Sequence, residues 1–221
     1  MSAAFASLWR TLVRGSGRTV SGADAHRWVV VDTETSGLDP QRDRLLAIGA
    51  VAVDDGAIVV ADSFEVVLQC ETAGDAENIA IHGIGREAQA AGIPAAAAIE
   101  AFREWVADAP QVGFHADFDR KVLRTACASA GIESFDRPWL DLAPLAEVLA
   151  PDAQRRGGRS LDDWLASFRI ECAFRHNAAS DALATAELLL RLRAVAASQG
   201  ARGFDALVKA SSQHKWLGNA D

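Results

Sequence analysis

A run of bulky apolar residues that ends in alternating acids constrains this chain more than any other stretch. Trp28-Val29-Val30-Val31 has the composition of a strand covered on both faces, and it leads directly into Asp32-Thr33-Glu34-Thr35-Ser36-Gly37. Side chains alternate along a strand with period two, so Asp32 and Glu34 point to the same side. Two like charges at the end of such a strand repel one another. A surface turn could leave them solvated, but the hydrophobicity of the strand before them favours a cation held between them.

The next forty residues have the pattern of a hairpin meander. Gly37-Leu38-Asp39-Pro40 and Gln41-Arg42-Asp43 make a loop, Leu45 to Val53 a second strand, Asp54-Asp55-Gly56 a turn, and Ala57 to Gln69 a third strand. These connections leave no room for a crossover helix, so the three strands are antiparallel. Ala76 to Ala109 is helical in pattern, broken by the turn Ile81-His82-Gly83-Ile84. Pro110 to Phe114 reads as a further strand that runs through His115-Ala116-Asp117-Phe118-Asp119 into a helix over Lys121 to Ala130, ended by Gly131. Asp119 is thereby placed at a helix start.

Trp139 to Leu142 suits a short strand, Leu145 to Leu149 a short helix, and Pro151 to Arg159 a polar loop in which Arg155, Arg156 and Arg159 are candidates to meet phosphates. Ser160 is an N-cap with Asp163 in the place of the capping-box acid. A long helix is expected from about Asn177 to Ala197, with Leu183, Ala186 and Leu190 on one face. His176 and Asp181 would lie about 140° apart on one continuous helix. They can converge only if His176 sits in the loop before the helix. Near the end, Phe204, Leu207 and Val208 suit a short docking helix, and Ser211 to Asp221 reads as mobile.

With 221 residues and 50% hydrophobic content, one α/β domain is the default. The expected division is an N-terminal extension and linker over 1–25, a central domain over 26–197, and a C-terminal helix or tail over 198–221. Arg10, Arg14 and Arg18 near the start superficially suit a targeting peptide, but Ser7, Arg10 and Thr11 interrupt the apolar run, which reads better as an amphipathic helix. The 3 cysteines have no paired spacing, which points to a reducing compartment and a cytoplasmic location. No stretch approaches the roughly 20 apolar residues needed to span a bilayer. A net charge of -8 argues against a broad nucleic-acid-coating surface, so any such contact should be local.

Three motifs in order change the weight of these single residues. Asp32-Thr33-Glu34-Thr35-Ser36-Gly37-Leu38 after a buried strand, Phe118-Asp119 opening a helix, and His176 followed by Asp181 resemble the DEDDh (DnaQ-like) family of 3'-5' exonucleases. The likeness is strongest to the epsilon subunit of DNA polymerase III and its stand-alone relatives, and covers about Arg27 to Arg193. The resemblance implies a ribonuclease H-like fold, a mixed central sheet with an antiparallel three-strand meander flanked by helices. It also implies two divalent cations held by Asp32, Glu34, Asp119 and Asp181, with His176 as general base. Oxygen-only ligands select hard ions, Mg²⁺ or Mn²⁺. Two such ions about 4 Å apart activate a water and stabilise the leaving 3' oxygen.

By the same resemblance Thr35, Ser36, Gly37, Leu38, His82 and Phe118 grip the terminal nucleotide. Core packing is the competing reading for Phe118 and His82. The family often has Asn where this chain has His115, which is read as a packed histidine, and Asp117 is a neighbouring acid outside the Phe-Asp register. The implied partner is the 3' end of single-stranded nucleic acid, DNA before RNA, with a DNA polymerase as a candidate further partner. A ribonuclease T-like or oligoribonuclease-like enzyme is the alternative, and a non-catalytic replisome adaptor a weaker one.

Overall fold

The computed structural model describes residues 26–70, 82–154 and 160–217. The N-terminal extension over 1–25, Ile81 of the interhelical turn, the three arginines at 155, 156 and 159, and the last four residues lie outside the described residues.

Five strands form one mixed sheet in the order β3-β2-β1-β4-β5. β1 (Arg27–Thr35), β2 (Leu45–Asp54) and β3 (Ala57–Val67) make the antiparallel meander, while β4 (Gln111–Gly113) and β5 (Trp139–Asp141) add parallel to β1. The most hydrophobic strands are central, where both faces are covered. β2 is buried over nine successive residues, from Leu45 to Val53.

The alternation of β1 divides the core into two layers. Trp28 and Val30 face α4 (Leu142–Leu149), α6 (Leu161–Phe168), α7 (Ala178–Ser198) and α8 (Phe204–Leu217), with Leu145, Trp164, Leu188 and Phe204 filling that side. Val29 and Val31 face α2 (Ala95–Val106) and α3 (Asp117–Ser129), where Phe64, Phe102 and Trp105 pack ring against ring. Small helices α1 (Arg86–Ala91) and α5 (Pro151–Gln154) complete the described chain.

Several local expectations need correction. Pro151–Gln154 is a helical turn and not loop, as Pro suits a first helical position. The helix carrying Asp119 begins at Asp117, four residues earlier than the pattern suggested, because Asp117 and Asp119 favour a helix's first turn. Of the three residues expected on one face of the long helix, Ala186 is buried, Leu190 is half-buried and Leu183 is 36% exposed, beside Glu187 and Arg191. The C-terminal helix is longer than a short docking element and runs on through Ser211 to Leu217. Its Phe204 meets the Trp28 ring edge-on at 5.3 Å inside the main core. No helix among the described residues is long and apolar enough to cross a membrane.

Candidate active site

Asp32 and Glu34 emerge on the α7 side of β1, following the parity of Trp28 and Val30. The strand is irregular between Glu34 and Thr35, where the pairing to β2 slips and the chain leaves the sheet. Opposite Asp32 in the ladder stands Gly49. A Cβ there would fall 2.1 Å from the Ala178 carbonyl carbon and 2.2 Å from the Ala179 nitrogen. The first turn of α7 therefore rests directly on β2, and this contact carries Asp181 to the acids. Replacing Gly49 by Ala should destabilise the fold by about 1–3 kcal/mol by overpacking. It should also lift Asp181 away from Asp32 and Glu34, so the melting temperature and any activity that needs this cluster are expected to fall together.

Asn177 caps α7 by accepting from the Ser180 N–H at 3.0 Å, which fixes where the helix begins. His176, just before the cap, has a left-handed φ of 60°. Its backbone N–H donates to Asp181 Oδ2 at 2.9 Å, while its side chain projects to solvent. The five-residue spacing is resolved in this way: the histidine is outside the helix and the acid is in its first turn. Oxygens of Asp32, Glu34 and Asp181 lie within 4.8 Å of one another.

Asp119 approaches from the other side of the sheet. Thr33 points away from Asp32 and Glu34, and its hydroxyl donates to Asp119 Oδ1 at 2.7 Å. Asp119 is buried at the start of α3 and acts on Asp32 through its charge, outside the closely spaced trio. Asp141 ends β5, where it caps α4 by accepting from Ala143 N–H and also accepts from His115 N–H, both at 3.0 Å. Asp117 is exposed and paired with Lys121.

The carboxyl groups disturb one another. Burial raises Asp32 well above the ordinary carboxylate range, and the charges of Asp119, Asp181 and Glu34 raise it further. Glu34 is pushed up to about 8, chiefly by burial and then by Asp181. Asp119 is raised to about 7 by burial, against the opposing hydrogen bond from Thr33. Among the described residues, a cation stands beside them. The Arg175 guanidinium pairs with Asp181 Oδ1 and also with Asp162.

The other expected residues surround this centre unevenly. Thr35 Oγ1 donates to the Gly37 carbonyl at 2.5 Å, and Ser36 Oγ donates to Asp43 at 3.1 Å, so the loop after β1 is held by its own contacts. Gly37 lets Asp43 pack close, since a Cβ would meet the Asp43 carboxylate at 2.5 Å and force it to shift. Leu38 is 92% exposed at the tip of this loop. Phe118 is half-buried and packs against the core layer of Val29 and Val31. His82 is buried, its Nδ1 accepting from the Ile84 N–H at 3.0 Å and its Nε2 without a partner among the described residues. Burial lowers its affinity for a proton. His115 differs from the packed histidine expected: it occupies a left-handed turn with φ 56° and is exposed, its ring edge against Phe114.

Sequence reasoning overlooked Gly49, Thr33 and Arg175. Gly49 did leave a signal, since a glycine inside an apolar strand marks close approach of another backbone. Arg175 left only its position before His176.

Comparison with known proteins identifies the family. Residues 29–189 match the family model described as Exonuclease, RNase_T. The chain is 33% identical over 195 residues to a DNA polymerase III subunit epsilon-like protein of Rhodobacter capsulatus, covering 86% of this chain and 27% of that protein. It is 31% identical over 181 residues to DNA polymerase III PolC-type of Bacillus subtilis, covering 81% and 12% respectively. The chain thus spans no more than 27% of the length of either relative. Among solved structures, E. coli Exonuclease I in complex with a dT13 oligonucleotide superposes with a TM-score of 0.66 at 18% identity, over 79% of this chain and 42% of that one. Exonuclease X in complex with 5' overhanging duplex DNA gives 0.64 at 22% identity, over 83% and 99%. At these identities the structural likeness is one of fold.

Proposed function

The chain belongs to the DEDDh (DnaQ-like) exonuclease family, and from that premise we propose that it removes nucleotides from the 3' end of single-stranded DNA, releasing nucleoside 5'-monophosphates. The observation that carries this reading is the meeting of Asp32, Glu34 and Asp181 oxygens within 4.8 Å at the end of β1, with His176 beside them. Carboxylates this close and this deeply placed are compatible with ionisation only beside positive charge. The donor set is oxygen alone and fits a hard divalent cation, Mg²⁺ or Mn²⁺. Asp32, Glu34 and Asp181 would hold such ions, with Asp119 completing the set, and when bound they would supply two-metal chemistry for phosphodiester hydrolysis.

The chain's own groups have separate tasks in this proposal. His176 accepts the proton of the attacking water, and its exposed ring on a capped helix start can turn toward the substrate while its backbone stays tied to Asp181. The ordered loop from Thr35 to Leu38 presents backbone groups and an exposed leucine side chain to the terminal nucleotide. Phe118, on the layer of Val29 and Val31, and His82, two residues before the Ile84 that packs with Leu46 and Ala178, are the further substrate contacts in this proposal. Preference for DNA rests on the polymerase-associated relatives, and a DNA polymerase is the candidate partner on the same ground. In this reading residues 26–197 carry the nuclease residues, and the C-terminal helix completes their core through Phe204.

The deciding experiment is digestion of a 5'-labelled single strand, as DNA and as RNA, with Mn²⁺, with EDTA and with the His176→Ala variant. A metal-dependent ladder shortening from the 3' end is expected, faster on DNA, and slowed about 10²-fold in the variant as for loss of a general base. No shortening of either polymer would overturn the reading, and faster digestion of RNA would reassign the substrate.

A further inference from the structure

Asp181 differs from its neighbours in how completely the protein engages it. Its Oδ2 accepts from the His176 backbone at 2.9 Å, and its Oδ1 meets both the Arg175 guanidinium and the Cys172 thiol, the latter at 3.3 Å. Arg175 also reaches outward to Asp162 in the first turn of α6. The two ends of this bridge are unequal: the Asp181 side chain is 6% exposed and that of Asp162 is 60% exposed. A guanidinium and a divalent cation on one carboxylate oxygen oppose each other, because like charges in a partly buried site repel. Asp162 lies beyond the acid cluster and offers the arginine a second carboxylate, so a displaced Arg175 is not left as an unpaired buried charge.

We propose that Arg175 is a built-in counter-ion that holds Asp181 in the ion-free chain and is handed over to Asp162 when a divalent cation enters, so that it sets the threshold for metal loading. The inference rests on the metal-dependent reading above. The handover needs the planar, multi-donor guanidinium, which can bridge two carboxylates, whereas a lysine presents a single compact charge. Arg175 is a positioning residue in this scheme, acting through Asp181 and not on the substrate.

Calorimetric titration of Mn²⁺ into the metal-stripped full chain, with no nucleic acid present, tests it. Arg175→Gln is expected to bind Mn²⁺ roughly tenfold more tightly than the unaltered chain, the scale of a removed charge-assisted contact. Arg175→Lys should fall between them. Equal or weaker binding by a cooperatively melting Arg175→Gln chain overturns the proposal. Should that variant fail to fold, the lysine variant decides: tighter binding than the unaltered chain supports the handover, and unchanged binding overturns it. Binding equal in all three chains sinks only the role of Arg175, while absence of Mn²⁺ binding in all three sinks the metal reading as well.

Discussion

A chain with Asn at position 181 is expected to fold and to lose exonuclease turnover by on the order of 10³-fold or more, the scale on which a single transition-state charge stabiliser is lost. The substitution is nearly isosteric, so α7 should still seat on Gly49 and the helix start should keep its Asn177 cap. An amide oxygen can still accept from the His176 N–H. What disappears is the negative charge that, with Asp32 and Glu34, would hold a cation. Stability should change little, because relief of repulsion with Asp32 and Glu34 opposes loss of the Arg175 ion pair. Steady-state digestion with Mn²⁺, alongside a thermal melt in EDTA, makes the comparison. Undiminished turnover would remove Asp181 from the site, and an unfolded variant would transfer its importance from chemistry to architecture.

The second large effect concerns stability against pH. Glu34 stands at about 8 and Asp119 at about 7 in the folded chain, each raised above its ordinary carboxylate value of 4.5 or 3.8. Asp32 is raised in the same direction. A raised carboxyl favours folding fully below its unfolded pKa, where both states are protonated. It loses that favour as pH climbs toward the folded value, because the unfolded chain ionises first. The ion-free protein should therefore lose on the order of a few kcal/mol between about pH 4 and pH 8. A divalent cation should reverse this loss above neutrality. At a hundred times its Kd, a ligand of the folded state contributes about 2.7 kcal/mol. For a chain of this length that corresponds to a rise in Tm of about 5–10 °C. Melting curves at pH 5, 7 and 9, with EDTA and with Mg²⁺ or Mn²⁺, would settle it. A Tm in EDTA that is flat or rising over this range, or indifference to both ions at pH 9, would contradict the acid cluster's role.

Much of this architecture was legible because its signals are local. The run from Trp28 to Val31 specified a buried strand, period-two alternation specified that Asp32 and Glu34 share a side, and Ser160 with Asp163 specified a capping box that the structure contains. The meander followed from connection lengths alone. What resisted reading was non-local. Nothing in the sequence around Gly49 states which backbone will press against it, and nothing around Arg175 states that Asp162 and Asp181 will lie within its reach. Leu183, Ala186 and Leu190 share a face by spacing, but a helix rich in alanine offers too little contrast to mark which face turns inward. His115 and His176 look alike as isolated histidines. Only their backbone, a left-handed turn in each case, sets both rings outward.

The two-sided supply of the site also bears on how the protein is made. Asp32 and Glu34 are synthesised early, Asp119 follows with the helix on the opposite layer, and Asp181 comes last with the helix that seats on Gly49. A nascent chain still missing that helix holds an incomplete set of acids, however well its sheet has formed. On the proposed assignment of the site, cutting requires the closing of the core layer that carries Asp181, and a sheet formed without it is expected to be inert.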